Sequence, residues 1–366
     1  MRADRLGLRN FRNYAEQTLE FGEGVNILFG DNAQGKTNVL EAVYLFSMGK
    51  ANRARRDAEL ILHGEESARL ALTFTDRDRT SLAEIELFKN QRKAITVNEV
   101  PVRRNSELVG RFRVVYFGPE YLGLVKEGPK QRRRNTDILI SQLRPRYFSA
   151  LSDLKKIVES KNALLKMERP NTAMLEIINE KLASISSELI AYRSAYLEKT
   201  GALAREIQRE ISGGREELEV RYLSCVGEVT GLEPGEIKEK LSRRLEEAWR
   251  RELDMRESSV GPHREDIGYY INGREAKTFA SQGQQKTIVL VQKLAEVELM
   301  QEETGDLPVL LLDDIMSELD KKRRRFILSH IRRMQILITC TDVDGFETDG
   351  DARLFEVENG TAKPVP

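Results

Sequence analysis

A segment near the start of the chain constrains the fold more than any other feature. Residues 30–37 read GDNAQGKT and fit the pattern G-x-x-x-x-G-K-[ST]. A short apolar run over residues 24–29 precedes them, and a helical pattern over residues 36–48 follows and stops at Gly49. A loop between a strand and a helix N-terminus can turn its backbone N–H groups toward phosphate oxygens. The segment therefore predicts an α/β lobe that binds a nucleotide.

The residue types of this loop suit a triphosphate and its metal ion. Its two glycines allow a tight turn of the backbone. Lys36 is expected to reach the β- and γ-phosphates, and the Thr37 hydroxyl is expected to ligate Mg²⁺. ATP and Mg²⁺ are therefore the expected cofactors, with these predicted nucleotide contacts: Gly30, Asp31, Asn32, Ala33, Gln34, Gly35, Lys36, Thr37 and Asn38.

Two acidic residues follow a second apolar run, near the end of the chain. Residues 309–312 are continuously apolar, as expected of a parallel strand covered on both faces. Asp313 and Asp314 come next, at the end where ligands bind in open α/β sheets. We expect Asp313 to hold Mg²⁺ through water and Asp314 to orient the attacking water, so that both act in catalysis with Lys36. For Asp314 alone, capping of the next helix is the alternative.

Residues 281–284 read SQGQ and open a predicted helix that ends near Glu303. One interpretation is a capping box, with Ser281 as N-cap and Gln284 as its partner. The other adds a second anion site, since Gly283 has no side chain to block close approach to the helix start. The two are compatible, and the two preceding motifs favour the second.

The apolar pattern changes along the chain. Short strands separated by turn residues occupy much of residues 1–117. Residues 130–212 carry apolar residues at three- and four-residue spacing, which is typical of long amphipathic helices. We therefore predict an α/β fold with an inserted, mostly helical second lobe. Residues 1–128 and 305–366 form the first lobe, and residues 129–304 form the second.

The composition bounds the class of protein. Among 366 residues, 59 basic side chains balance 59 acidic ones, so the net charge gives no support for a nucleic-acid partner. No apolar stretch approaches the roughly 18 to 20 residues that span a bilayer, and charges interrupt the N-terminus. Cys225 and Cys340 match no metal-ligand spacing, which favours a reducing, cytoplasmic compartment.

The three motifs, in the order phosphate loop, SQGQ and Asp-Asp, resemble those of the ATP-binding-cassette (ABC) class of P-loop ATPases, in its SMC-like branch. Finer matches are to the RecF family of bacterial DNA repair proteins, and they cover essentially the whole chain. They include residues 10–14 (NFRNY), 261–266 (GPHRED) and 317–320 (SELD). The resemblance implies a P-loop NTPase of the ABC/SMC-head type.

The resemblance also implies a function. In that family the signature serine of one subunit contacts the γ-phosphate held by the other. An ATP-dependent, head-to-tail homodimer is implied, with Ser281, Gly283 and Gln284 at the nucleotide and residues 317–320 at the same interface. Family members act in recombinational repair, bind duplex and gapped DNA, and help load recombinase with RecR and RecO. A bacterial, nucleoid-associated protein is therefore expected.

Two positions predict slow ATP hydrolysis. Asp314 stands where the wider class usually carries a catalytic glutamate, and its side chain is shorter by one C–C bond, about 1.5 Å. Cys340 and Thr341 follow the predicted strand at 335–339, with no switch histidine nearby. Both features agree with the RecF resemblance and predict an ATPase that times a clamp.

Several basic residues are candidates for other contacts. The DNA-backbone candidates, mostly on the strength of the resemblance, are Arg53, Arg55, Arg56, Arg132, Arg133 and Arg134. The usual alternative for such clusters is a solvated face. Arg12 and Asn13 are candidates for adenine contacts by their place after the first strand, and Glu120 is a weaker candidate to sense the γ-phosphate.

Other residues are assigned structural roles. His263 fits a structural role near the nucleotide interface better than proton transfer, and Trp249 is predicted to anchor packing. Both cysteines are predicted to be ordinary buried thiols. Phe326, Ile327 and Ile331 are expected to lie in the core, so the basic helix from Lys321 is mainly structural.

Three other classes share these motifs but fit less well. The ATPase subunit of a membrane transporter normally carries the signature LSGGQ, a switch histidine and a shorter chain. A chromosome-structuring SMC protein needs hundreds of coiled-coil residues between the phosphate loop and the signature. A nuclease of the overcoming-lysogenisation type adds a metal-dependent nuclease domain, for which we expect no room after Pro366.

Overall fold

The computed structural model describes residues 1–77, 79–330, 334–343 and 352–365. The chain forms two compact units: unit 1 comprises Met1–Gly123 and Val289–Pro366, and unit 2 comprises Leu124–Ile288. The return to unit 1 falls inside one uninterrupted helix, Gln282–Thr304. The predicted lobe boundaries at 128/129 and 304/305 differ from the limits of these two units, because a sequence pattern shows where a helix or strand ends and not which unit it packs in. The lobe boundaries stay a prediction.

The strands and helices of the described residues are numbered in chain order. The strands are β1 (Arg2–Phe11), β2 (Tyr14–Glu20), β3 (Val25–Phe29), β4 (Ser67–Asp76), β5 (Arg79–Phe88), β6 (Ala94–Val97), β7 (Val100–Pro101), β8 (Val114–Phe117), β9 (Leu218–Leu223), β10 (Asp266–Ile271), β11 (Arg274–Glu275), β12 (Val309–Asp313), β13 (Ile336–Cys340), β14 (Arg353–Glu358) and β15 (Thr361–Val365). The helices are α1 (Lys36–Met48), α2 (Asn105–Leu108), α3 (Pro129–Leu143), α4 (Pro145–Leu165), α5 (Thr172–Ser212), α6 (Pro234–Met255), α7 (Ala276–Phe279), α8 (Gln282–Thr304) and α9 (Lys321–His330). Short 3-10 turns cover Asp57–Leu60, Pro119–Gly123 and Met316–Glu318.

A six-stranded sheet in unit 1 carries the phosphate loop, with strand order β15-β14-β3-β13-β12-β8. All neighbours in it are parallel except β14 and β15. Every residue of β12 and β13 is buried, including the polar Asp313 and Thr339 near their ends, and the other residues are apolar or cysteine, as expected of strands covered on both faces. Because the strands are parallel, the ends of β3, β12 and β13 meet at one edge, where Asp313 is in register with Thr339.

A second six-stranded sheet in unit 1 has the order β2-β1-β4-β5-β6-β7 and is antiparallel throughout. Its β1–β2 turn holds Arg12 and Asn13. The turn is tight, and Arg12 adopts a φ of 55°. The pairing of β1 with β2 therefore fixes the position of Arg12 and Asn13 within unit 1.

Unit 2 combines α3, α4, α5 and α6 with a three-stranded antiparallel sheet of order β11-β10-β9. The longest helix, α5, runs for 41 residues from its N-cap Asn171, whose side chain accepts a hydrogen bond from the Met174 N–H. It ends at Gly213, where φ is 66° and a left-handed residue favours glycine. The predicted α/β fold with an inserted, mostly helical part is confirmed.

Two expectations concern apolar segments. Among the residues that the structure describes, no helix is both long and apolar enough to cross a membrane. In α9, Ile327 is buried as predicted, and Phe326 is half-buried against the His330 ring. Ile331 lies outside the described residues.

Candidate functional site

The phosphate loop joins β3 to α1 and contains two glycines that cannot be replaced without strain. Gly30 and Gly35 have φ values of 143° and 118°, in the region that favours glycine. A Cβ at Gly30 would collide with the Val357 carbonyl oxygen, and one at Gly35 would lie 2.6 Å from Nδ2 of Asn13. The loop conformation therefore requires both glycines, because a side chain at either position would be strained and would collide with Val357 or Asn13.

Distant parts of unit 1 hold this loop through Gln34. The Gln34 carbonyl accepts hydrogen bonds from Nδ2 of Asn13 at 2.8 Å and from the Gly360 N–H at 3.2 Å. Its side-chain oxygen accepts from the Asn359 N–H at 2.7 Å. In addition, the Tyr14 hydroxyl donates to the Gly35 carbonyl at 3.1 Å. The loop is therefore fixed from both ends of the chain.

Lys36 lies inside the loop. Its side chain is buried, and Nζ donates to the carbonyl oxygens of Gly30 and Asp31, the latter at 2.7 Å. Burial lowers the pKa of Lys36, while the nearby Asp314 carboxylate opposes that shift. The N-cap of α1 is Gly35, and no side-chain hydrogen bond caps the helix there. A cation and an uncapped helix start thus face the same short loop.

Asp313 is a buried carboxylate with a full set of partners. Its Oδ1 accepts hydrogen bonds from the hydroxyls of Thr37 and Thr339, each at 2.7 Å, and its Oδ2 accepts one from Tyr116 at 2.8 Å. Only 1% of Asp313 is exposed. The hydroxyl and carboxylate oxygens of Thr37 and Asp313 form a hard donor set that suits Mg²⁺. The two residues predicted to hold the metal therefore lie in direct contact.

Asp314 ends the strand in a conformation unusual for a residue with a side chain. Its φ is 50°, and its N–H donates to Oγ1 of Thr339 at 2.9 Å. The following 3-10 turn has no side-chain cap, so the alternative that Asp314 caps the next helix is not seen. Instead, Ser317 of the SELD segment donates to the Asp314 carbonyl at 2.9 Å. Its role toward water stays a prediction.

Tyr116 is a site residue that no sequence motif predicts. It lies on β8 beside β12, and burial raises the pKa of its hydroxyl well above the ordinary value. Its ring packs edge-on against Tyr44 and Tyr121, with centroids 5.6 and 6.0 Å apart. A protonated hydroxyl fixed in this way orients the Asp313 carboxylate. Only its place in a four-residue apolar strand, VVYF, sets Tyr116 apart in the sequence.

In unit 2, SQGQ forms the predicted capping box. The Ser281 hydroxyl accepts from the Gln284 N–H at 3.2 Å, and the Gln284 side chain accepts from the Ser281 N–H at 2.8 Å. The Gln284 amide also donates to Glu216 at 2.9 Å, while Ser281 is exposed. The capping interpretation is confirmed. The anion-site interpretation, which includes Gly283, stays a prediction.

The two adenine candidates have partners within unit 1. Arg12 donates through Nε to Glu41 at 2.9 Å and through a terminal nitrogen to the Glu59 carbonyl at 2.9 Å. The Asn13 oxygen accepts from Nδ2 of Asn38 at 2.8 Å. These contacts place both residues against the phosphate-loop region, and a direct contact with the base stays a prediction.

In the arginine run at 132–134, the prediction that Arg132 contacts DNA is wrong. The Arg132 side chain is 3% exposed, and its guanidinium pairs through two nitrogens with Asp266 at 2.7 and 2.8 Å. Its remaining terminal nitrogen donates to the carbonyls of Leu124, Val125 and Glu127. Arg132 is therefore a structural residue and cannot reach a DNA phosphate. Arg134, two residues on, is exposed.

The other basic candidates differ in their surroundings. Arg133 is half-buried and donates to the Glu265 carbonyl, and burial lowers its pKa. Arg53 is exposed, with a terminal nitrogen 3.8 Å from Oδ2 of Asp313. Arg55 and Arg56 are exposed. DNA contact by these four and by Arg134 stays a prediction.

The GPHRED segment is held by α5 as well as α3. Arg193 is 2% exposed, pairs with Asp137 at 2.9 Å and donates to the Pro262 carbonyl at 2.7 Å. Burial lowers the pKa of His263 to about 4, so the ring is neutral at physiological pH. A neutral, half-buried imidazole agrees with the predicted structural role. Both cysteines are free thiols, but only Cys340 is buried as predicted, because Cys225 is half-buried. Desolvation raises the pKa of Cys225 to about 12 and of Cys340 to about 11.

Known proteins resemble this chain over nearly its whole length. The family model described as RecF/RecN/SMC N terminal domain matches residues 3–363. The DNA replication and repair protein RecF of Clostridium perfringens is 39% identical over 357 residues, which are 97% of this chain and 98% of the relative. The protein of the same description from Acetivibrio thermocellus is 39% identical over 365 residues, covering 98% and 99%.

Solved structures agree. One described as the recombination mediator protein RecF-ATPrS in the RecFOR pathway superimposes with a TM-score of 0.94 at 38% identity, covering 100% of this chain and 98% of that one. An Smc head bound to the C-winged helix domain of ScpA gives 0.57 at 16% identity over 100% and 97% of the two chains, a likeness of fold alone. The chain belongs to the RecF family of DNA replication and repair proteins, within the wider RecF/RecN/SMC group.

Proposed function

We propose that this chain is an ATP-dependent, DNA-binding switch in recombinational DNA repair and replication. The observation that carries the proposal is the contact between the phosphate loop and the end of β12. There the Thr37 hydroxyl donates a hydrogen bond to the buried Asp313 carboxylate at 2.7 Å. Two related RecF structures are described with ATP and with ATPrS, which supports the same ligand here.

ATP binding uses contacts that the loop already makes. The Lys36 ammonium donates to two loop carbonyls, and phosphate oxygens are stronger acceptors because they carry charge. The uncapped start of α1 adds N–H groups and a positive dipole end. Thr37 and Asp313 would hold Mg²⁺, which supplies positive charge that offsets the phosphates. Tyr116 and Thr339 keep the Asp313 carboxylate in place.

Hydrolysis is proposed to be slow. Asp314 would accept a hydrogen bond from the attacking water, but its side chain is shorter by about 1.5 Å than the glutamate usual in the wider class. A shorter side chain holds that water less well at the γ-phosphate. Slow hydrolysis suits a protein that must remain on DNA before it resets.

The nucleotide site is proposed to be completed by a second copy, head to tail. Ser281 of one copy would donate to the γ-phosphate held at Lys36 of the other, with Gly283 and Gln284 beside it. Each hydrogen bond to a charged group is worth roughly 1.5–3 kcal/mol, so two per dimer give about 10²- to 10⁴-fold tighter association. Loss of the γ-phosphate removes this gain, which is why ATP can act as a switch.

DNA is the proposed cargo of the ATP-bound dimer. The remaining basic candidates, Arg53, Arg55, Arg56, Arg133 and Arg134, would contact the backbone of duplex or gapped DNA. RecR, and RecO through it, are the proposed protein partners, in keeping with the RecFOR pathway named for the related structure. A bacterial, nucleoid-associated location in the cytoplasm follows from these partners.

Sedimentation velocity tests the proposal. The wild type, Lys36→Met and Ser281→Arg are compared with ATP and with ADP, each in the presence and absence of gapped duplex DNA. We expect dimers and DNA retention with the wild type and ATP alone. Dimers formed equally well with ADP would refute the switch.

Matched controls separate the site from general damage. Lys126→Met removes an exposed lysine from the loop before α3, and Ser149→Arg adds an arginine to the exposed surface of α4. Both are expected to pair like the wild type. If Ser149→Arg blocked pairing as strongly as Ser281→Arg, the composite site would lose its support.

A further inference from the structure

A groove of about 590 Å³ lies along α5 and α6, wholly within unit 2, and none of the candidate nucleotide, metal or DNA residues lines it. Leu245 and Trp249, the single tryptophan of the chain, both line it; Leu245 is buried and Trp249 is half-buried. Trp249 is predicted to anchor packing, and its half-buried ring also lines this groove.

The groove carries an excess of negative charge. Glu176 and Glu180 of α5 and Glu246 and Glu247 of α6 line it, together with one basic residue, Arg250. Lys238 pairs with Glu180 at 2.6 Å, and Arg244 pairs with Glu247 at 2.9 Å. Glu176 and Glu246 have no ion-pair or hydrogen-bond partner within the described part of the chain. Two exposed carboxylates are thus left without a cation.

A buried oxygen in the same lining also lacks a donor. Oδ1 of Asn179 is shielded from solvent and has no hydrogen-bond partner in the described residues. Leaving such an acceptor unsatisfied is costly, so an occupant that brings N–H donors is favoured. Lysine and arginine side chains carry donors and no acceptors, and their charge is also attracted to the face of a tryptophan ring. The lining therefore selects a cationic occupant.

One apolar side chain extends this surface beyond the groove. Ile177 is 53% exposed and lies on α5 three residues before Glu180, a spacing that places the two side chains next to each other. A small cation would fill the groove and leave the Ile177 side chain in water. A chain segment with basic side chains on one part and apolar ones on another would cover both.

We propose that this groove docks a basic, amphipathic segment of a partner protein. Its lysine or arginine side chains bind Glu176, Glu246 and the Asn179 oxygen, and its apolar side chains pack on Trp249 and Ile177. The surface lies in unit 2, so docking does not require the phosphate loop, and the proposal stands independently of ATP-driven pairing.

Trp249 emission in the full chain tests this directly. We titrate the protein with an amphipathic helical peptide of leucine and lysine, and with the same peptide carrying glutamine in place of lysine. We expect a saturable blue shift with the lysine peptide alone. The double variant Glu176→Gln, Glu246→Gln should bind it about 2- to 25-fold more weakly, because each exposed ion pair contributes a factor of roughly 1.5 to 5.

A matched double variant, Glu188→Gln, Glu239→Gln, removes one exposed carboxylate from each of the same helices outside the groove and should bind like the wild type. The proposal is overturned if both peptides shift the emission equally, or if the groove variant binds like the wild type. It is also overturned if spermidine alone reproduces the shift, since that assigns the groove to a small cation. Emission that changes with protein concentration alone would assign it to a second copy.

Discussion

The phosphate loop and the arginine run at 132–134 are both short motifs with basic residues, but they determine structure to very different degrees. In the loop, Gly30 and Gly35 adopt the positive φ values that the pattern requires, and the Lys36 ammonium donates to the carbonyl oxygens of Gly30 and Asp31. In the run, Arg132 is buried in an ion pair with Asp266 while Arg134 is exposed. Residues of one type and one cluster thus have different roles.

The difference lies in what each pattern specifies. Glycines at fixed spacing specify backbone conformation, which one strand–loop–helix unit can satisfy. A run of arginines specifies only charge, and successive residues of a helix point about 100° apart because it has 3.6 residues per turn. Arg132 therefore turns toward Asp266 while Arg134 turns to solvent. Clusters on a helix need to be resolved residue by residue.

The largest expected effect is on the loop. Lys36→Met removes two charge-assisted hydrogen bonds to phosphate, so ATP should bind roughly 10²- to 10⁴-fold more weakly. Titration calorimetry measures this, and urea unfolding checks that the free energy of unfolding is little changed. Lys126→Met is the control, and equal ATP affinity in all three proteins would place the nucleotide elsewhere.

The second largest expected effect is a difference between Arg132 and Arg134 in what each contributes to the free energy of unfolding. Arg132→Met strands the partly buried Asp266 carboxylate and should lower the free energy of unfolding by about 3 kcal/mol. Arg134→Met, on the exposed side, should change it by less than about 0.5 kcal/mol. Urea unfolding of the two variants measures the difference. Similar values would mean that the helix does not divide the run as described.

A smaller effect concerns His263, in the segment that Arg193 and Arg132 hold through Pro262 and Asp266. The folded ring has a pKa of about 4 because it is buried, whereas an unfolded histidine takes up a proton near pH 6.5. Stability is therefore fully present above pH 6.5 and falls as the pH is lowered toward 4, by about 2 kcal/mol for a ring that keeps some exposure. Urea unfolding across this range should show that loss in the wild type and not in His263→Phe. An equal loss in both would assign it to other groups.

The smallest effect is on DNA binding. Arg134→Gln should reduce the slope of log affinity against log salt by about 1, as expected for one lost phosphate contact. Arg132→Gln should leave the slope unchanged in the folded fraction, because its guanidinium is buried. Fluorescence anisotropy at several salt concentrations measures both slopes. Equal slopes for the two variants would remove Arg134 from the DNA surface.

The sequence predicts the parts of the site that are local. The loop, the strand before Asp313 and the Ser281 capping box each lie within a few consecutive residues, so periodicity and residue type suffice. The role of Tyr116 is not predicted, because its contact with Asp313 joins residues 197 positions apart. The Asn359–Gln34 contact is not predicted for the same reason, since its residues are 325 positions apart.

The edges of the sheets are also hard to predict. β15 has a proline and a lysine among its five residues, and β2 is mostly polar, so neither shows a run of apolar residues. Their pairing with β14 and β1 stabilises them instead. The Asn359-Gly360 turn between β14 and β15 is what brings backbone N–H groups to Gln34.

A mixing experiment tests the central claim that two copies of the chain bind each ATP, one through Lys36 and the other through Ser281. Lys36→Met lacks a working loop and Ser281→Arg lacks a working signature, and each is expected to be inactive alone. If sites are shared head to tail, their heterodimer contains one intact site, built from Lys36 of one copy and Ser281 of the other. ATP hydrolysis should then appear on mixing and peak at equal amounts. A mixture as inactive as its components, at concentrations where the wild type pairs, would show that the two motifs do not act across copies.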